Sequence, residues 1–174
     1  MKKKIAPRPV PTRDEFYLGM AFWASSRSKD PRTQCGAVIV GADNSPLGWG
    51  YNGPPKKIKD TDISWGRPEK LDFIDHAERN AIRYSLGDTK GATIYVTGHP
   101  CKDCMLEIVA AEIAKVVWFP VIPVDGIGML ADPELLAKSD EIARLGNVKV
   151  EEYKGNLNWM RDRIQWMEER GVFR

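Results

Sequence analysis

Long apolar runs, disulfide partners and spare imidazoles are all scarce in this chain. No stretch of about 18 apolar residues occurs anywhere. The basic start Met1-Lys2-Lys3-Lys4 is not followed by the apolar segment that a secretory leader needs. A cytoplasmic protein without membrane association is therefore expected. There are three cysteines, two of them closely spaced, which argues against a disulfide framework and for a metal in a reducing compartment. Histidine is scarcer still: two in 174 residues, His76 and His99. Charge of one sign is not in excess either. A formal net charge of +2, with no interleaving of aromatic and basic residues, offers nothing built to blanket a nucleic-acid backbone or stack its bases. Internal repeats and low-complexity tracts are missing, and the length suits one domain able to bury its own core.

What is present reads as alternating elements. Residues 1–11, with Pro7, Pro9 and Pro11, form an extended arm, either a loose tail or a strap on a neighbouring subunit; residues 12–174 form a single domain. Thr12-Arg13-Asp14-Glu15 is a capping box, and the helix it opens runs to about Ser28 with Phe16, Met20, Trp23 and Ala24 as its buried stripe. Strands over 35–40 and 47–51 flank the turn Asp43-Asn44-Ser45-Pro46, giving a hairpin in which Cys35 is a buried core thiol. The connection 52–75 is long enough to expect a functional loop. Helices over 76–86, 101–112, 132–144 and 157–170 then alternate with strands over 92–97, 114–119 and 148–153. In the last helix, Trp159 and Trp166 are seven residues apart and so are Met160 and Met167, read as core packing or a subunit contact. The fold class is α/β, a mixed five-stranded sheet between two helical layers.

Two short segments carry the chemistry. His76-Ala77-Glu78 and Pro100-Cys101-Lys102-Asp103-Cys104 supply one imidazole, two thiolates and one carboxylate. The H-x-E…P-C-x-x-C pattern is a recognised signature of zinc nucleobase deaminases. Pro100 places Cys101 at a helix entrance with Cys104 one turn further, on the same side, and His76 likewise opens its helix. Two helix N-termini thus face one point, where unsatisfied N–H groups favour thiolates. Three protein ligands leave a fourth zinc position open for water, the mark of a catalytic rather than a structural site. Glu78 is the proton carrier between that water and a pyrimidine ring. A structural reading requires a fourth ligand, for which Cys35 and His99 are the remaining candidates.

Beyond these motifs the chain resembles the deoxycytidylate (dCMP) deaminases of the cytidine deaminase superfamily. The similar segments are Ser26-Arg27-Ser28-Lys29-Asp30-Pro31, Gly36-Ala37-Val38-Ile39-Val40, Gly50-Tyr51-Asn52-Gly53, His76-Ala77-Glu78-Arg79-Asn80-Ala81-Ile82 and Tyr95-Val96-Thr97 leading into the cysteine pair. The resemblance implies a cytidine deaminase-like three-layer α/β/α fold. The implied activity is hydrolysis of dCMP to dUMP and ammonia, a step supplying thymidylate synthesis, in a homohexamer activated by dCTP and inhibited by dTTP. Zn²⁺ would be held by His76, Cys101 and Cys104, with Glu78 as proton shuttle and Mg²⁺ accompanying the triphosphate effector. Arg27 is the candidate for the substrate phosphate, its alternative being a solvated helix-end charge, and Asn52 for the sugar. Lys29, Asn52, Gly53 and Trp65 are effector-site candidates; Trp65 reads equally as loop packing. One departure from the family pattern stands at 119–126, where a tyrosine near the phosphate is common and none occurs here. The competing functions are deamination of another cytosine compound (deoxycytidine, dCTP or a base in single-stranded DNA) and a non-catalytic nucleotide-sensing zinc module.

Overall fold

The computed structural model describes residues 7–120 and 133–172. Within them the Thr12 capping box forms as expected. Thr12 Oγ1 accepts from the Glu15 amide at 3.2 Å, and the Glu15 carboxylate accepts from the Thr12 amide at 2.6 Å. It opens α1 (Arg13–Ser25), after which β1 (Gly36–Val40) and β2 (Pro46–Tyr51) make the hairpin. Then come α2 (Ala77–Arg83), β3 (Thr93–Val96), α3 (Lys102–Ala110), β4 (Lys115–Trp118), α4 (Pro133–Leu145), β5 (Lys149–Glu152) and α5 (Asn158–Glu168). The sheet order is β2-β1-β3-β4-β5, antiparallel from β2 to β3 and parallel from β3 to β5.

Side chains of successive strand residues point to opposite faces, and this sheet is covered on both. Ala37, Ile39, Ile94, Val96 and Val116 face a layer containing Ala77, Ala81, Met105 and Ile108 from α2 and α3. Val38, Val40, Tyr95 and Val117 face Tyr17, Leu18 and Ala21 of α1. Helix α2 lies directly on the hairpin because β2 carries a glycine where the two meet. A Cβ on Gly50 would stand 2.4 Å from both Ala77 O and Ala81 N, closer than any side chain tolerates. That contact fixes the helix whose first residues carry the chemistry.

The buried stripe of α1 differs from the expected one. Tyr17, Leu18, Ala21 and Ala24 are buried, whereas Phe16 and Trp23 are largely exposed. Of the expected set, Ala24 is buried and Met20 packs against the core, while Phe16 lies on the neighbouring flank and stacks on Trp159 of α5. Trp166 is likewise not in the core: it lies exposed between the guanidinium groups of Arg163 and Arg170, each 4.2 Å from its ring. Helix α2 is shorter than expected. Its chain leaves the helical path so that the Leu86 amide donates to Leu47 O at 2.9 Å, tying the exit to β2, while Ser85 Oγ donates back to Ala81 O. Residues 121–126 of the tyrosine-free stretch lie outside the described residues.

Candidate metal centre and its cavity

Both metal motifs sit at helix entrances. His76 is the N-cap of α2 and Cys101 the N-cap of α3, each in extended backbone geometry, and Cys104 is buried in the first turn of α3. The sheet brings these entrances together, since the loop leaving the end of β3 delivers Cys101 beside α2. His76 Nδ1 lies 3.3 Å from Cys104 Sγ and 3.5 Å from Cys101 Sγ. The donor atoms of the three residues all lie within 4.8 Å of one another, and they are the cluster of that kind among the described residues. His99 is turned elsewhere: Nδ1 is 2.9 Å from Pro100 O and Nε2 is 3.0 Å from an Asp140 carboxylate oxygen. Three donors, with no fourth protein ligand among the described residues, match a catalytic rather than a structural zinc site.

Proton distribution in the trio suits a soft divalent cation. The Cys101 thiol is held down to about 3, chiefly by its hydrogen bond with Cys104, with His76 adding to the effect against the opposing pull of burial. Hydrogen bonding to Cys101 in turn pushes His76 up to about 9 and, with burial, pushes Cys104 well above the usual thiol range. Cys101 is thus favoured as a thiolate, and the protons favoured on His76 and Cys104 are those a cation would displace on binding. Such a donor set fits Zn²⁺.

Glu78 occupies the same space. It is 5% exposed, and its carboxyl reaches the Cys104 sulfur. Burial raises its pKa, with the nearby His76 pulling the other way. A buried carboxyl held toward its neutral form beside the His76–Cys101–Cys104 cluster is suited to taking up and returning a proton.

The cavity beyond Glu78 has a polar wall that the sequence pattern did not reveal. Asp30 accepts from Lys70 Nζ at 2.5 Å and from the amides of Arg32 and Thr33 at 2.9 and 3.1 Å. Lys70 and Asp30 are both almost fully buried and both line the cavity. Asn52 lines it too, but its amide is committed to the backbone: Oδ1 accepts from the Cys35 amide at 2.8 Å and Nδ2 donates to Thr33 O at 2.8 Å. Cys35 packs against the core but is less buried than expected. It is half-buried beside Glu78 in the cavity wall, and burial first, then the Glu78 charge, pushes its thiol up to about 12. Asp30 falls in a family-like segment, but nothing in the sequence marks its pairing with Lys70, 40 residues away, which forms only in the folded chain.

The entrance to α2 is pinned from the other side. Gly53 and Asp75 exchange two backbone hydrogen bonds, each 3.0 Å. The Asp75 carboxylate accepts from the His76 amide at 3.1 Å and pairs with Arg83 at 2.5 Å and Arg79 at 3.2 Å. These contacts hold the backbone immediately before the His76 imidazole of the donor cluster.

The remaining predicted residues gather elsewhere. Arg27, Lys29, Gly53 and Trp65 line a second cavity, together with Lys56 and Asp60. Lys29 pairs there with Asp60, and the Trp65 indole donates to Asp60 O at 3.1 Å. Arg27 is not among the residues lining the metal cavity, whereas Arg67, unremarked in the sequence, is.

Against known proteins, the sequence matches the cytidine and deoxycytidylate deaminase zinc-binding region over residues 11–119, a span containing all three metal donors and Glu78. Deoxycytidylate deaminase of Homo sapiens is 40% identical over 111 residues, covering 60% of this chain and 62% of the human protein. Deoxycytidylate deaminase of Mycobacterium phage D29 is 37% identical over 122 residues, covering 62% of this chain and 94% of the phage protein. The aligned chain therefore spans less than two thirds of the human relative's length. Among solved structures, the apo dCMP deaminase of cyanophage S-TIM5 superposes with a TM-score of 0.59 at 29% identity, covering 80% of this chain and 96% of that one. A matched span of this extent, with the donor cluster and its carboxyl assembled inside it, shows that the chain belongs to the cytidine and deoxycytidylate deaminase zinc-binding family.

Proposed function

We propose that this protein hydrolyses dCMP to dUMP and ammonia. The observation that carries the reading is the buried Glu78 carboxyl set against the His76–Cys101–Cys104 cluster in one cavity. His76, Cys101 and Cys104 would hold zinc there, and the metal would supply Lewis-acid activation of a water. Glu78 accepts a proton from that water and delivers it to ring N3 of the cytosine as the water oxygen bonds to C4. It then carries the water's second proton to the departing amine, so that water and the C4 amine become a C4 carbonyl and ammonia. The same carboxyl serves as base and acid, which suits a pKa raised by burial. Similarity to proteins named deoxycytidylate deaminase supports the monophosphate as substrate.

The reading extends to regulation and assembly. The second cavity, with Arg27, Lys29 and Lys56 around Gly53 and Trp65, offers cationic groups for a magnesium-bound triphosphate, dCTP as activator and dTTP as inhibitor. Its link to Asn52 and Gly53 provides a path to the metal cavity through the pinned start of α2. Arg27 and Arg67 are the two candidates for the substrate phosphate. Exposed Trp23, Trp49 and Leu86 support a homo-oligomer, taken here as a hexamer. No helix among the described residues is long and apolar enough to cross a membrane.

The test is ammonia release from dCMP by the zinc-loaded protein, with deoxycytidine and dCTP as parallel substrates, each with and without dCTP or dTTP plus magnesium. Turnover of dCMP that rises with dCTP and falls with dTTP is the expected outcome. Turnover of another compound with silence on dCMP overturns the substrate, and silence on all three overturns the enzyme.

A further inference from the structure

The family match ends at residue 119, yet helix α4, well beyond it, touches the metal turn. Ser139 is 0% exposed in the middle of α4, and its hydroxyl donates to the carbonyl oxygen of Pro100 at 2.8 Å. The next residue, Asp140, meets His99 Nε2 at 3.0 Å, while His99 Nδ1 approaches the same Pro100 oxygen at 2.9 Å. The imidazole is backed by the Trp118 ring, edge-on with centroids 5.1 Å apart.

The Pro100 carbonyl belongs to the planar peptide unit whose nitrogen is that of Cys101. The buried Ser139 hydroxyl that holds its oxygen therefore fixes the plane from which the Cys101 side chain departs. Cys101 has φ −71° and ψ 170°, the N-cap geometry that starts α3 and carries Cys104 into its first turn. A fully buried hydroxyl spent on this one oxygen does nothing for α4 itself: at that position alanine is the better helix former.

We propose that Ser139 is a positioning residue for the metal centre, which sets the Pro100–Cys101 peptide so that both cysteine sulfurs meet His76 in a zinc-ready arrangement. The inference rests on the zinc-site reading above. Partners that orient metal ligands from one step further out typically change metal affinity by about 10–100-fold when removed.

The experiment measures zinc affinity by competition with a chromogenic chelator, and the zinc-induced rise in Tm, for the parent and for Ser139→Ala, Ser139→Val and Ser139→Thr. Valine and threonine have nearly the same shape and differ at the hydroxyl, so their comparison separates the hydrogen bond from packing. The expected result is zinc affinity about 10–100-fold weaker in the alanine and valine variants, threonine holding zinc better than valine, and a smaller zinc-induced rise in Tm where the hydroxyl is lost. Parent affinity in alanine and valine overturns the proposal. So does equal weakening in valine and threonine, or a lowered Tm for metal-free and loaded forms alike with affinity unchanged, since each assigns Ser139 to packing. A parent that binds no zinc instead removes the zinc reading itself, an outcome visible before any variant is made.

Discussion

Replacing Lys70 with methionine tests the polar wall of the cavity. The Lys70 ammonium and the Asp30 carboxylate are 2% and 3% exposed and lie 2.5 Å apart. Methionine keeps most of the buried stem and removes the charge, leaving Asp30 with the two amides of Arg32 and Thr33 as its partners. Breaking one side of a buried ion pair costs about 3–5 kcal/mol, a large part of the roughly 5–15 kcal/mol that holds a domain folded. At about 2–4 °C per kcal/mol for a chain of this size, Tm at pH 7 falls by roughly 6–20 °C.

The pH dependence gives the sharper test. In the parent, burial raises the Asp30 pKa, but the Lys70 hydrogen bond and the two backbone amides outweigh it, and the net shift is downward. A depressed folded-state pKa contributes stability present above the unfolded value and lost as pH falls through the folded one. Without Lys70 the two contributions of that residue that lower the Asp30 pKa are lost, and the pKa rises relative to the parent. The deficit of Lys70→Met is then full near pH 7 and shrinks as pH falls toward about 4, where the carboxyl takes up a proton and no bare charge remains buried. Urea unfolding of parent and variant at neutral and mildly acidic pH measures both quantities. A deficit under about 1 kcal/mol, or one that stays constant across that range, refutes the buried-charge account.

Two further perturbations separate chemistry from scaffold. Glu78→Gln keeps the shape and removes the proton carrier, so turnover falls by at least about 10²–10⁴-fold while zinc content by metal analysis is unchanged; loss of zinc in that variant means Glu78 serves the metal rather than the proton. Gly50→Ala puts a methyl 2.4 Å from Ala77 O and Ala81 N, so α2 must move off β2. It costs about 1–3 kcal/mol in chemical unfolding and lowers deaminase activity through displaced His76 and Glu78, whereas unchanged unfolding and activity show that the two elements do not bear on each other.

The metal donors were legible because their geometry is local. A proline, a cysteine and a second cysteine one turn on specify where both sulfurs point once a helix forms, and His76 followed by Glu78 does the same for α2. The sheet was legible for a related reason: its five strands are short and bounded by turn residues, and each occurs within a residue or two of its expected place. The stripe of α1 was not, because both of its flanks are apolar. One packs on the sheet and the other meets α5, and periodicity alone does not say which is which.

The polar wall was illegible for a different reason. A lysine in a loop is read as solvated, since lysine is almost never fully buried unless paired, and its partner lies 40 residues away. The same holds for Asn52, whose amide is occupied by the backbone on both sides, and for Ser139, which acts on a carbonyl 39 residues earlier. Reactive groups in this molecule are thus set by short motifs, while their placement depends on contacts between distant segments. That division has a measurable consequence. Glu78 lies at the end of the short-motif logic, so its variant loses rate with little loss of stability. Lys70 and Gly50 belong to the long-range logic, where any change in rate must come with a change in unfolding free energy, because the same contacts produce both.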